Sequence, residues 1–133
     1  MPWINLTLRS GAMPKEVQHA LMAKLTEVLM WWEKVPDIPR ARSIMKGWVY
    51  EVDEDADYSA GSPTHEKPFY FIEIRIPVDR LDLLAKQGLI RDFTHVVLKA
   101  EQSDAGKRPQ DMGDDQRAQG RGLGDRRPWR LAA

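Results

Sequence analysis

The second residue of this chain is a proline, and proline at that place carries a chemistry of its own. An initiator methionine is normally removed ahead of a small residue such as proline, which leaves a secondary amine at the start of the first structural element. Held in a partly desolvated pocket near cations, that amine has its protonated form disfavoured, so its pKa falls and it accepts a proton near neutral pH. Kept protonated it is a general acid; neutral, it can attack a carbonyl as a nucleophile. Other reactive side chains are scarce. The chain has no cysteine, which excludes disulfides, thiolate catalysis and thiolate metal ligands. His19 on a helix, His65 in a loop and His95 on a helix surface have no partner at a ligand spacing, so neither a metal nor another cofactor is expected.

The bulk properties limit the partners. A chain of 133 residues suits one compact domain with a tail. Its 20 basic residues balance its 20 acidic ones, so no global field draws it to nucleic acid or to an anionic membrane. A charged small-molecule substrate therefore needs a local site. No apolar stretch reaches the roughly 18 residues of a membrane span, and the start lacks a basic segment followed by an apolar run. A soluble cytoplasmic protein is expected, with no membrane or nucleic-acid partner.

Pro2 must be positioned by the element that follows it. Ile4, Leu6 and Leu8 alternate with Asn5, Thr7 and Arg9, the period of a half-buried strand over residues 2 to 9. Gly11 breaks that strand, and Pro14 suits the first turn of a helix, where its missing N–H costs nothing. Val17, Ala20, Leu21, Leu25, Val28, Leu29 and Trp32 recur at three and four, broken only by Lys24, and predict a helix from about 14 to 33. Trp31 and Trp32 at its end belong to core and subunit contact. The Val35-Pro36-Asp37-Ile38-Pro39 connector stops the helix.

Residues 43 to 52 read as a second strand, with Gly47 marking a bulge or a close approach. A polar loop over 53 to 67 follows. A third strand over 68 to 76 alternates Tyr70, Ile72, Ile74 and Ile76 against Phe71, Glu73 and Arg75. A second helix from about 79 to 101 takes Leu81, Leu84, Ala85, Gly88, Phe93, Val96, Val97 and Ala100 as its apolar stripe, with Gly88 its weak point.

Two segments match. Pro2-Trp3 to Arg9 and Pro68-Phe69 to Arg75 both run proline, aromatic, alternating apolar residues, then arginine seven positions after the proline. The expected fold is α+β: a doubled β-α-β unit, its four-stranded or partly incomplete sheet carrying both helices on one face, with right-handed crossovers. The second copy lacks a convincing last strand. Residues 102 to 133, rich in glycine and alternating charge with Trp129 and Leu131 as late apolar anchors, predict a disordered tail with at most a short strand at Pro128 to Leu131. Gln119-Gly120-Arg121-Gly122 is too weak a nucleic-acid signal, among nearby acidic residues, to alter that reading.

A proline-led strand, a glycine turn, an amphipathic helix, a Val-Pro connector, a strand ending in an acidic residue and a loop closing in Ala60-Gly61 resembles the repeat unit of 4-oxalocrotonate tautomerase. The second proline-led segment and its helix resemble the later half of the longer members of that superfamily, such as malonate semialdehyde decarboxylase and the cis-3-chloroacrylic acid dehalogenases. The likeness covers residues 2 to about 101. It implies a cofactor-free isomerase in which Pro2 is the catalytic base and Arg75, at the end of the third strand, binds and polarises a substrate carboxylate, with Arg80 one short loop further on. Arginine suits that role because its planar fork meets a carboxylate through two parallel hydrogen bonds.

Departures from the family pattern shift other assignments. Ala12 stands where the short tautomerase has an arginine, leaving Arg9 as a substitute, and Lys46 stands where a second arginine precedes the acidic residue of strand two. Pro39 falls on the aspartate of the decarboxylase, with Asp37 displaced by two. Tyr50 and Glu51 are candidates for orienting water or substrate. The expected substrate is a small 2-oxo or enol carboxylate, and the expected assembly a homo-oligomer, a trimer by the resemblance. Hydrolytic dehalogenation, decarboxylation and a catalytically silent oligomeric relative stay open as alternatives.

Overall fold

The computed structural model describes residues 2–63 and 70–105. His65, Pro68, Phe69 and the tail from 106 onward, with the short strand expected at 128–131, lie outside the described residues. In chain order the elements are β1 (Trp3–Arg9), α1 (Lys15–Trp32), α2 (Pro39–Ile44), β2 (Lys46–Val52), a 3₁₀ turn (Glu54–Ala56), the two-residue strands β3 (Tyr58–Ser59) and β4 (Ser62–Pro63), β5 (Phe71–Arg75) and α3 (Leu83–Ala105). The fold is α+β. The chain divides into two compact units, Met1–Pro14 with Asp37–Arg80 and Lys15–Pro36 with Leu81–Ala133.

The first unit is built on a mixed three-stranded sheet of order β2-β1-β5. β1 runs parallel to β2 and antiparallel to β5. The alternation along β1 is obeyed throughout: Pro2, Ile4, Leu6 and Leu8 are buried while Trp3, Asn5, Thr7 and Arg9 are half-buried. On the buried side Leu6 meets Val49 and Ile72, and Ile4 meets Gly47 and Ile74. Gly47 sits in unbroken register opposite Ile4, so no bulge forms there. On the other side Trp48, Tyr50 and Phe71 are exposed.

Three boundaries differ from the sequence reading for local reasons. β2 begins at Lys46 rather than residue 43 because the chain from Pro39 winds into α2, where proline at the first helical position is pre-set for the turn. Arg42 on α2 grips Asp37 through Nε and through Nη2, the latter at 2.9 Å, and this hydrogen-bonded guanidinium holds the exposed Asp37 carboxyl below its usual pKa. The polar loop is not structureless. Ala60 and Gly61 both have positive φ between β3 and β4, the geometry of a type I′ hairpin turn.

In the second unit α1 and α3 pack against each other. α1 buries Gln18, Leu21, Leu25, Val28, Leu29 and Met30. Its end is a Schellman motif: the Val35 N–H donates to the Met30 carbonyl at 2.9 Å and the Lys34 N–H to that of Trp31 at 3.1 Å. The left-handed position of this motif usually holds glycine, but here it holds Lys34 at φ 57. α3 starts at Leu83, four residues later than the pattern predicts, because the Asp82 carboxylate accepts from the Ala85 N–H at 2.8 Å and caps it there. It also extends past residue 101 to Ala105.

Leu84, assigned to the stripe of α3, is 76% exposed, and Leu89 is buried in its stead; Leu84 lies in the first turn, ahead of the covered length of the helix. Gly88 is a fitted position rather than a weak one. A Cβ there would lie 2.3 Å from Cη2 of Trp32. The Trp32 indole in turn donates from Nε1 to buried Asp92 at 2.8 Å, so a charged residue within the stripe has its partner on the facing helix.

Two substitutions should therefore act against ordinary propensity. Gly88→Ala would gain up to about 1 kcal/mol of helix propensity, yet overpacking against an indole typically costs about 1–3 kcal/mol. Urea unfolding should show a net loss of stability. Lys34→Gly removes a side chain from a left-handed residue and should raise stability by about 1 kcal/mol; an unchanged or lower midpoint would show that Lys34 makes compensating contacts.

Candidate active site

Pro2 is buried at the head of the central strand, and its carbonyl accepts from the Lys46 N–H at 3.4 Å. The next residue, Trp3, lies directly opposite Lys46 on β2 and Arg75 on β5. Parallel pairing on one side and antiparallel pairing on the other thus deliver the first residue of β2 and the last of β5 to the same end of the sheet. The Arg75 guanidinium stacks 4.8 Å from the centre of the Trp3 ring. Trp48 meets the same ring edge-on at 5.6 Å and 83°. Neither Lys46 nor Arg75 has an ion-pair partner among the described residues.

The remaining predicted site residues separate from this end. Arg9 lies at the far end of β1, roughly 23 Å from Pro2 at about 3.3 Å per strand residue, and its Nη1 is 3.7 Å from the Asp57 carboxylate. Tyr50 is paired with Thr7, and Glu51 with Leu8, in the same distal half of the sheet. Within one chain neither Arg9 nor Tyr50 is gathered with Pro2, because a strand's length sets them apart. Arg80 is exposed in the turn that leaves β5, its N–H donating to the Pro77 carbonyl at 3.3 Å. That turn departs from Pro2's end of the sheet.

This end of the sheet carries buried Pro2 on the face of Ile4 and, on the face of Trp3, two cations and an indole ring. Cations without anionic partners can take an anion, and a guanidinium whose face is covered by an aromatic ring still has its in-plane N–H donors free. Trp3 and Trp48 were not among the predicted site residues. The signal for Trp3 was present, since an aromatic follows the proline in both matching segments, but only the register reveals that a cation lands on it.

Among the described residues, the histidines His19 and His95 are both exposed. Among the described residues, no group of three or more His, Cys, Asp or Glu is placed to hold a metal ion, and no helix is long and apolar enough to cross a membrane. The second unit carries an open cavity of about 850 Å³ lined by Trp31, Trp32, Val35, Pro36 and Leu84 together with Lys34 and Asp82, and it contains none of the predicted site residues.

No family model matches the chain, and no curated protein does. Among solved structures, the chain is similar to native Ps01740, with a TM-score of 0.64 and 16% identity over 78% of this chain and 85% of that one. At that identity the similarity speaks to the fold alone.

Anion binding should follow this division of charges. Calorimetric titration with phenylpyruvate should show binding weakened tenfold or more by Arg75→Ala, since a hydrogen bond to a charged group is worth about 1.5–3 kcal/mol. Arg9→Ala should leave it unchanged. The reverse ranking would move the site to the other end of β1.

Proposed function

We propose that this chain is a cofactor-free tautomerase of the tautomerase superfamily, with the amine of a mature N-terminal Pro2 as general base. The observation that supports it is the register that sets Lys46 and Arg75 on either side of Trp3, the residue that follows buried Pro2. Arg75 holds the carboxylate of a small 2-oxo or enol acid, Pro2 moves a proton between oxygen and the carbon beside the carbonyl, and Lys46 adds charge where the enolate develops. Fixed cations stabilise such charge better than water does, because they need no reorganisation as it forms. Lys46 acts as a point charge, whereas Arg75 supplies the two-pronged geometry. Arg80 stays a secondary contact of the same reading.

The doubled β-α-β architecture belongs to this proposal. Its support is that Leu6 and Ile72, separated in sequence by the same interval as Pro2 and Pro68, are direct partners in the antiparallel β1–β5 pair. Pairing through equivalent residues is what a local two-fold axis between two repeats produces. A homo-oligomer, a trimer by family likeness, is supported by the exposed Trp48, Tyr50 and Phe71 on one sheet face and by the unpaired outer edges of β2 and β5 among the described residues. Dehalogenation or decarboxylation would use the same proline as an acid, and no observation favours either over tautomerisation.

The test is turnover of phenylenolpyruvate, 2-hydroxymuconate and 3-chloroacrylates by the wild type and by Pro2→Ala, with the mass of each purified chain recorded. The wild type, lacking Met1, should ketonise at least one enol, and Pro2→Ala should lose at least a hundredfold of that rate, the usual scale of general acid–base catalysis. Equal rates in the two proteins reject the mechanism.

A further inference from the structure

We propose that Trp3 is a positioning residue that sets the Arg75 guanidinium for the substrate carboxylate; the inference rests on the proposed tautomerase reading. Arg75 is an exposed residue at the end of an edge strand, where a long side chain ordinarily samples many rotamers and loses that freedom only on binding. Here its guanidinium lies 4.8 Å from the Trp3 ring centre, and stacking on the ring face occupies the π surface of the cation while leaving its edge donors for a carboxylate. Trp48, edge-on to Trp3 at 5.6 Å, braces the platform from the opposite strand. The strand register holds all three side chains on one sheet face, because Trp3 is the direct partner of Arg75 and Trp48 lies two residues beyond Lys46, its partner on β2.

A second observation indicates that the indole is kept for its ring. Trp3 Nε1 is buried and has no hydrogen-bond partner among the described residues, and a buried donor left unsatisfied destabilises a fold. Phenylalanine or leucine would fill apolar space there without that cost. Tryptophan has the strongest π face for a cation, so the penalty is explained if the ring serves Arg75.

The inference is tested with Trp3→Phe, Trp3→Leu and Arg75→Lys by steady-state kinetics on phenylenolpyruvate and by the NMR signal of the Arg75 Nε–H. Trp3→Leu should raise KM about fivefold and change kcat less than twofold, the size expected from losing one stacked cation. Trp3→Phe should restore KM to within about twofold of the wild type, because a π face remains. The Arg75 Nε–H resonance should be shifted upfield by the ring in the wild type and in Trp3→Phe and return to the ordinary arginine position in Trp3→Leu. Arg75→Lys should raise KM despite keeping the charge, and it probes the same contact if Trp3→Leu does not fold. An unshifted Nε–H in the wild type, an unchanged KM in Trp3→Leu or Arg75→Lys, or failure of phenylalanine to restore KM overturns the inference. Loss of turnover in the wild type itself rejects the tautomerase reading, while the Nε–H signal still decides the Trp3–Arg75 contact.

Discussion

β1 has a hydrogen-bonded neighbour on each side, and its register decides which side chains can meet. A one-residue slip would carry Ile4, Leu6 and Leu8 to the opposite face, a change that the burial of all three forbids. The same constraint decides which side chains share an end of the sheet. With the apolar triplet locked on one side, Trp3 has no freedom but to stand between the start of β2 and the end of β5, so Lys46 and Arg75 arrive beside the proline-led end without any loop having to place them. Core packing and site assembly are consequences of one alignment.

The helical unit obeys a different constraint, the fit of one large ring. Trp32 occupies the space left by the missing side chain of Gly88 and gives its indole proton to Asp92, one helical turn further along α3. Shape and hydrogen bonding therefore fix the same pair of helices at adjacent turns. Dispersion alone would allow sliding between the helices, whereas the buried carboxylate accepts that proton in only one alignment.

Much of this was legible in the residues. The alternation in β1 and in β5 and the periodic stripe of α1 located those elements to within a few residues, because each has one buried and one wetter side. Short-range chemistry was harder to read. α2 and the β3–β4 hairpin are too brief to show a period, and the start of α3 is set by one cap at Asp82 rather than by hydrophobicity. Gly88 looked like a defect because propensity describes a lone helix, and Asp92 was passed over because its partner is 60 residues away in the chain. Pro2 was singled out by residue type and place, and Arg75 and Lys46 by the family resemblance. Arg9 and Tyr50 looked equally apt, since linear sequence does not say which end of a strand a side chain serves, and Trp3 was missed because its cation contact, Arg75, lies 72 residues later in the chain (75 − 3).

The proposed function rests on electrostatics: the cations Lys46 and Arg75, at the same end of the sheet as Pro2, would have to lower the pKa of a Pro2 amine freed by loss of Met1. The most direct measurement is the titration midpoint of that amine by nitrogen-15 NMR in the wild type and in Arg75→Ala. The account predicts a wild-type midpoint below the ordinary α-amino range of about 7.7–8.0 and an upward move when Arg75 is removed. A midpoint at or above that range, unmoved by the substitution, would contradict it.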